Sequence, residues 1–367
     1  MNHSTKRISF IKTVNELVGV LLLATAAAWR PTPGIGAEAT ATNPTALPIQ
    51  QKASDLLGGV QKAVCYSGFR TGQRPGQINP SEKQILEDLQ ILTRNGNFGL
   101  IRTYDAKVNT ETVLRLIQNH KLNLKVLVGA WLNAEVINTN CPWLKTPHPK
   151  EVLEANKVEN AHEVENAIRL AKRYPAIVVA VAVGNESLVS WNDHLVPVES
   201  VIAYVRHVKK SISQPVTVAD NFDWWVHHGS ALAQELDFVS VHTYAQWEGK
   251  DTAEAMPFTI ANLQAVRHAL PHSRLAITEA GWATVASEFG LRASEEKQQR
   301  YYHDLFTWTK SMNITTFFFE AFDEDWKGSP NDPLGAEKHW GLFTVDRKAK
   351  LAMHDLYPDL TPGKLLK

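Results

Sequence analysis

Two glutamates interrupt apolar runs in this chain. Glu186 ends "IVVAVAVGNE" (177 to 186), and Glu279 lies inside "RLAITEAGW" (274 to 282). One such carboxyl group alone has three ordinary readings: a surface accident, an anion at a helix start, or a partner for a nearby Arg. A pair supports a fourth reading, acid and nucleophile acting together on one bond. A carboxyl group kept protonated delivers its proton to a leaving oxygen, while an ionised one attacks the carbon that the oxygen leaves. Unequal surroundings drive the two pKa values apart. This is the kit of glycoside hydrolysis, and a separation of about 5–5.5 Å between the groups gives retention of configuration.

The rest of the chain must bring these residues together. Eight short apolar runs follow one another: 60–67, 98–104, 124–131, 177–186, 215–220, 238–244, 274–282 and 315–322. Between them lie helical patterns. "PSEKQILEDLQILTRNG" opens on a capping sequence and closes on Asn-Gly, and "VENAHEVENAIRLAKRY" carries apolar positions at helical spacing. Near-continuous apolar strands alternating with helices predict a parallel sheet covered on both faces. Eight units, ending in a helix over 348–357, predict an α/β fold of (β/α)8 TIM-barrel type in a single domain. The alternative is an open doubly wound sheet, but the first run is followed by no Gly-rich phosphate loop. In a barrel, reactive residues gather at the C-terminal strand ends, where Glu186 closes run four and Glu279 run seven.

Lys plus Arg balance Asp plus Glu at 38 each, so no basic surplus attracts nucleic acid. The 11 Trp and 8 Tyr supply flat rings for core packing and for sugar faces. Residues 1–29 read as a signal peptide or N-terminal anchor: Lys6, Arg7 and Lys12 precede "LVGVLLLATAAAW", which is short for a membrane span of about 20 residues. Export to the periplasm or the exterior is expected, or retention on an uncleaved N-terminal segment. Residues 30–55, rich in Pro, Ala and Thr, read as a flexible linker, and residues 56–367 as the catalytic domain. Cys65 and Cys141 are the only cysteines, equally compatible with one disulfide and with two buried thiols.

"VAVGNES" and "AITEAGWAT" resemble the two active-site signatures of glycoside hydrolase family 17, the β-1,3-glucanases and related glucan transglycosylases. "YSGFRTGQRPG" (66–76), "IRTYDA" (101–106), "FFFEAFDEDWKG" (317–328) and "EKHWGLF" (337–343) are similar to its bacterial branch, in the right order over roughly residues 60–357. The resemblance implies that Glu186 is the general acid/base and Glu279 the nucleophile. It also implies that Asn185 holds a sugar 2-hydroxyl and that Tyr244 orients the nucleophile, although that hydroxyl could equally serve the core. His242 near a strand end reads either as a cavity residue or as a structural one.

Tyr66, Tyr104 and Asp105 close the first two runs, with Arg70 in the loop beyond, and are expected to point to the mouth. Glu320, Asp323, Trp326 and Lys327 close the eighth, and Trp282 ends the seventh. These are expected sugar-binding groups, with carboxylates and Lys gripping hydroxyls and Trp282 and Trp326 stacking on rings. Lys327 and Asp323 have a plainer reading as a structural bridge, and Trp131 as subsite wall or packing. "GWAT" (281–284) carries Ala283 where the family often has Pro.

Three functions compete: a retaining β-1,3-glucanase, a β-glucan transglycosylase using the same carboxylates, and a non-catalytic glucan-binding barrel. The third predicts loss of a carboxyl group, and both are present. A metal-dependent barrel hydrolase finds no His-x-His after the first run. The expected partner is a β-glucan polysaccharide or oligosaccharide. No cofactor, metal, nucleic acid or stable membrane span is expected, and the chain is expected to act as a monomer.

Overall fold

A computed structural model describes residues 48–59 and 62–363. The stretch read as a signal peptide or anchor (1–29) and the first part of the one read as a linker (30–47) lie outside the described residues. Eight parallel strands close into a barrel with β1 paired to β8. They are β1 (Lys62–Cys65), β2 (Leu100–Arg102), β3 (Lys125–Ala130), β4 (Val178–Asn185), β5 (Val216–Asn221), β6 (Val239–His242), β7 (Leu275–Gly281) and β8 (Thr316–Phe319). Helices cover them: α1 (Glu82–Thr93), α2 (Val108–Asn119), α3 (Lys150–Arg173), α4 (Val198–Ser211), the short α5 (Phe222–His228) and α6 (Ser230–Ala233), α7 (Thr252–Ala269) and α8 (Glu295–Met312). The (β/α)8 expectation therefore holds.

Two apolar layers hold the barrel. Its interior is filled by Ala63, Cys65, Leu100, Leu127, Ala180, Ala182, Ala276 and Phe317, while Val64, Ile101, Val128, Val181 and Ile277 face the helices. The alternation follows from the two-residue period of a strand. α1 begins as its sequence predicts, with Ser81 Oγ accepting from the Gln84 amide at 3.3 Å and Gln84 Oε1 accepting from the Ser81 amide at 2.9 Å. The chain leaves it through a 3-10 turn, Arg94–Gly96, in which Asn95 and Gly96 both have positive φ (55° and 66°).

The structure differs from expectation at both ends of the barrel sequence. No α-helix forms over 348–357; a single 3-10 turn, Leu351–Met353, stands there. Pro358 disfavours helix at Tyr357, and the buried Tyr357 ring is tied to α1 through its hydroxyl, which donates to Ile91 O at 2.9 Å. The last residues of the stretch read as linker are fastened to the barrel floor. The Gln51 amide donates to Met312 O at 2.9 Å, and its side chain donates to Leu275 O at 2.8 Å and accepts from Leu275 N at 2.6 Å. Leu57 caps the interior from below. Cys65 and Cys141 are both buried, and no disulfide joins them. Among the described residues, no helix is long and apolar enough to cross a membrane.

Candidate active site

Strand irregularities aim the two glutamates. Opposite β7, Val241 pairs with Ile277 but His242 with Glu279, and on the other side Thr316 pairs with Ile277 but Phe318 with Ala280. One extra β7 residue thus stands against each neighbour, a β-bulge that reverses the alternation and turns Glu279 into the barrel mouth. β4 does the same near its end: Ala182 pairs with Thr217 and Asn185 with Ala219, three residues against two, with Gly184 at φ 88°. A Cβ at Gly184 would lie 2.6 Å from Ser187 Oγ, so glycine is required there. Glu186 follows in the left-handed region at φ 47°, its amide donating to Ala219 O at 2.8 Å.

These turns bring the pair together. One oxygen of Glu186, one of Glu279 and one ring nitrogen of His242 all lie within 4.8 Å of one another. Arg102, at the end of β2, is buried and joins the whole group. Its guanidinium donates to Glu279 Oε1 at 2.8 Å, to Asn185 Oδ1 at 2.5 Å and to Thr278 O at 3.2 Å. It also donates to His242 Nε2 at 3.1 Å. A guanidinium has no acceptor, which assigns the proton of a neutral His242 to Nδ1, 3.1 Å from Glu186 Oε1 and 3.5 Å from Glu279 Oε2.

Tyr244 donates to Glu279 Oε2 at 2.6 Å and Tyr104 to Oε1 at 3.1 Å. Burial pushes the Glu279 carboxyl up, but the positive N–H end of His242, the Arg102 guanidinium and the two tyrosine hydroxyls outweigh it. The carboxyl is held below its ordinary value. Burial also pushes up the carboxyl of Asp220, on β5, and the charge of Glu186 adds to that, so its pKa lies well above the carboxylate range.

Glu186, His242 and Glu279 are metal-ligand types in close array. Both Glu279 oxygens, however, are already taken by Arg102, Tyr104 and Tyr244, and a cation there would sit against the guanidinium. The donor set suits an anionic nucleophile better than a metal.

A second cluster lies beyond β8. Lys327 Nζ sits 2.7 Å from Glu320 Oε2 and 2.7 Å from Glu324 Oε2, all three largely buried. Burial, then the neighbouring Glu324 charge, pushes the Glu320 carboxyl well up despite Lys327. The two carboxylates hold Lys327 above its ordinary value, against its burial. Glu324 Oε1 accepts from Ser67 at 2.6 Å and from the Trp326 indole at 2.9 Å, leaving the Trp326 ring half-buried.

Several expected site residues lie elsewhere. Tyr66 shares the outward parity of Val64, and its hydroxyl donates to Asp88 Oδ2 at 3.2 Å beneath α1, where Arg70 is also bound. Asp105 closes the start of α2, with Oδ1 accepting from the Lys107 amide at 3.1 Å. Trp282 is fully buried on the helix side and donates to Arg292 O at 2.9 Å, so it offers no sugar platform. Asp323 pairs not with Lys327 but with Lys350, at 2.7 Å, and accepts from the Gly341 amide at 2.9 Å.

The barrel mouth brings together Glu186, Glu279, Asn185, Tyr104, Tyr244 and His242. Arg102 and Glu324 were missed by the reading of the sequence. The signal for Arg102 was present, since a charge inside an interior run must be paired.

The structure is similar to an endo-laminarinase from Formosa, at 27% identity and a TM-score of 0.67, covering 86% of this chain and 90% of that one. It shares its fold with a glycoside hydrolase family 17 β-1,3-glucanosyltransferase from Rhizomucor miehei, at 21% identity and a TM-score of 0.63, covering 82% and 97%. In sequence it is 27% identical over 319 residues to a putative glucan endo-1,3-beta-glucosidase (btgC) of Aspergillus niger. That alignment takes in 80% of this chain but only 41% of the relative's length. It is 24% identical over 303 residues to a glucan 1,3-beta-glucosidase of Arthroderma benhamiae, 77% of this chain and 88% of that one. A family model matches residues 63–341, three quarters of the chain and the whole of the barrel mouth: the chain belongs to the BtgE/BtgC glycoside hydrolase domain family.

Proposed function

We propose that this protein is a retaining glycoside hydrolase acting on β-1,3-glucan by double displacement, with Glu279 as nucleophile and Glu186 as acid/base. The observation that carries the reading is the approach of the two carboxylates to within 4.8 Å, with Glu279 kept ionised by Arg102. The separation suits direct attack on the anomeric carbon and leaves no room for the intervening water of an inverting enzyme, whose carboxyl groups stand about 6.5–9.5 Å apart. The names of the relatives agree on the linkage.

In the first step Glu186 gives its proton to the glycosidic oxygen as Glu279 Oε2 or Oε1 bonds to the anomeric carbon. In the second, Glu186 takes a proton from water, which displaces Glu279. Asn185 is fixed through its Oδ1 by Arg102, which leaves its Nδ2 hydrogens for the sugar 2-hydroxyl. Tyr244 holds the nucleophile's orientation. Lys327 and the Trp326 ring bind the sugar chain on the β8 side, with the buried Glu320 holding Lys327 in place. The charge and apolar pattern of residues 1–29 supports export, or retention on an uncleaved N-terminal segment.

The test is product analysis over time on linear β-1,3-gluco-oligosaccharides. Shorter products of retained configuration support hydrolysis. Products longer than the substrate would replace water with a sugar acceptor in the second step and make the enzyme a transglycosylase. Inverted products, or no turnover, overturn the reading.

A further inference from the structure

The loop between β4 and α4 contains side chains that the reaction above does not use. Glu186 sits at φ 47°, a conformation that side-chain-bearing residues adopt only when their surroundings impose it. Both peptide groups flanking its Cα are held. On one side, Asn185 O lies 2.8 Å from His194 Nε2; on the other, Glu186 O accepts from Asn192 Nδ2 at 3.1 Å. Asn192 is itself fixed, its Oδ1 accepting from the Asp193 amide at 2.9 Å. The loop closes where the Val196 amide donates to Ser187 O at 2.8 Å, and Asp220 Oδ2 accepts from Leu188 N at 3.0 Å.

His194 is buried with oxygen at both ring nitrogens. Nε2 faces the Asn185 carbonyl, and Nδ1 lies 2.9 Å from Asp193 Oδ1. Asn192 Nδ2 also lies 3.3 Å from Nε2, so the ring joins Asn192, the Asn185 carbonyl and Asp193 in one network, and its hold on Asn185 O needs a proton on Nε2. The Trp131 ring lies against it, 4.4 Å between centroids and tilted by 36°. The other ionisable groups around it are Asp193, His148, whose Nε2 lies 3.1 Å from Asp193 O, and Glu186, whose main chain it holds.

We propose that Asn192 and His194, the latter seated between Asp193 and the Trp131 ring, are positioning residues that clamp the two peptide groups around Glu186. They thereby fix where the acid's proton is delivered. The inference rests on Glu186 being the acid/base.

The test compares His194→Ala and Asn192→Ala with the parent enzyme on two substrates. One is a laminari-oligosaccharide, whose leaving group needs the acid; the other is 2,4-dinitrophenyl β-laminaribioside, whose leaving group does not. kcat/KM is expected to fall roughly 10- to 100-fold on the first, part of the effect of a general acid, and less than about threefold on the second. His194→Gln, which keeps one donor for Asn185 O, is expected to recover part of the loss. Equal losses on both substrates, or no loss on either, overturn the clamp. If His194→Ala does not fold, Asn192→Ala decides the same point.

A substrate-free measurement separates this inference from the reading it rests on. In the parent protein with 15N-labelled histidine, the His194 Nε2 is expected to carry a proton hydrogen-bonded to Asn185 O. An Nε2 without a proton overturns the clamp even if the enzyme hydrolyses glucan. A parent enzyme that shows that proton but turns over neither substrate indicts the assigned activity instead.

Discussion

At the β7 side of the mouth, side chains grip the carboxylate of Glu279 directly. Arg102 and Tyr104 take one oxygen, Tyr244 the other, and the side chain is only 6% exposed. At the β4 side, Glu186 is 17% exposed, and among the described residues the side chain hydrogen-bonded to its carboxyl group is His242; what the fold holds there is its main chain. The difference matches the work each is assigned. A nucleophile must be ionised and pointed at one atom, so its oxygens are fixed by donors. An acid/base must change its protonation twice per turnover, so its oxygens are left open and its backbone is fixed instead.

The sharpest break of this comparison removes each carboxyl group in turn. Glu279→Ala is expected to lower turnover of β-1,3-glucan by about 10⁵-fold, the scale of losing a nucleophile. Azide should restore turnover and give the α-glycosyl azide by a single inverting displacement. Glu186→Ala is expected to lose about 10³-fold on glucan, within the range of general acid catalysis, while sparing kcat/KM on a dinitrophenyl glycoside. Azide should then give the β-glycosyl azide. The opposite pattern of azide configurations would exchange the two roles.

Arg102→Met tests the grip on Glu279. The Glu279 carboxyl is held below its ordinary value in the folded protein. The stability this contributes is fully present above the unfolded carboxyl value of about 4.3 and is lost as pH falls through the folded value. Without Arg102 the folded value rises, so the variant is expected to lose stability at neutral pH, by about 3–5 kcal/mol for a broken buried pair. The acid limb of its kcat/KM profile should move to higher pH. A melting temperature lowered with the acid limb in place would mean that Arg102 serves the fold and not the nucleophile.

The eight strands were legible because each lies in a short, mostly apolar run of the right length, and the strand-end rule then located Glu186 and Glu279 without any distance. What could not be read was parity. Simple alternation from Val64 gives the outward direction of Tyr66, and from Leu100 the inward direction of Tyr104, yet both were placed by their position at a run's end alone. For Glu279 alternation itself misleads, because the β7 bulge inverts it. Pairings such as Asp323 with Lys350, 27 residues apart, depend on where the chain returns after β8 and leave no local trace in the sequence.

The smallest effects separate two tryptophans that the sequence treated alike. Trp282 follows β7 on the helix side, and its indole N–H is satisfied by Arg292 O. Trp282→Phe removes that bond and leaves a small void, and is expected to cost about 1–3 kcal/mol of stability with KM unchanged. Trp326 lies at the mouth, half-buried, anchored by its N–H to Glu324. Trp326→Ala removes a ring face available to a pyranose, worth about 0.5–1.5 kcal/mol, and is expected to raise KM on oligosaccharides about three- to tenfold with little change in melting temperature. The two measurements on each variant, KM and Tm, must move in opposite patterns. A KM raised as much by Trp282→Phe would place that ring in the sugar's path and contradict its burial.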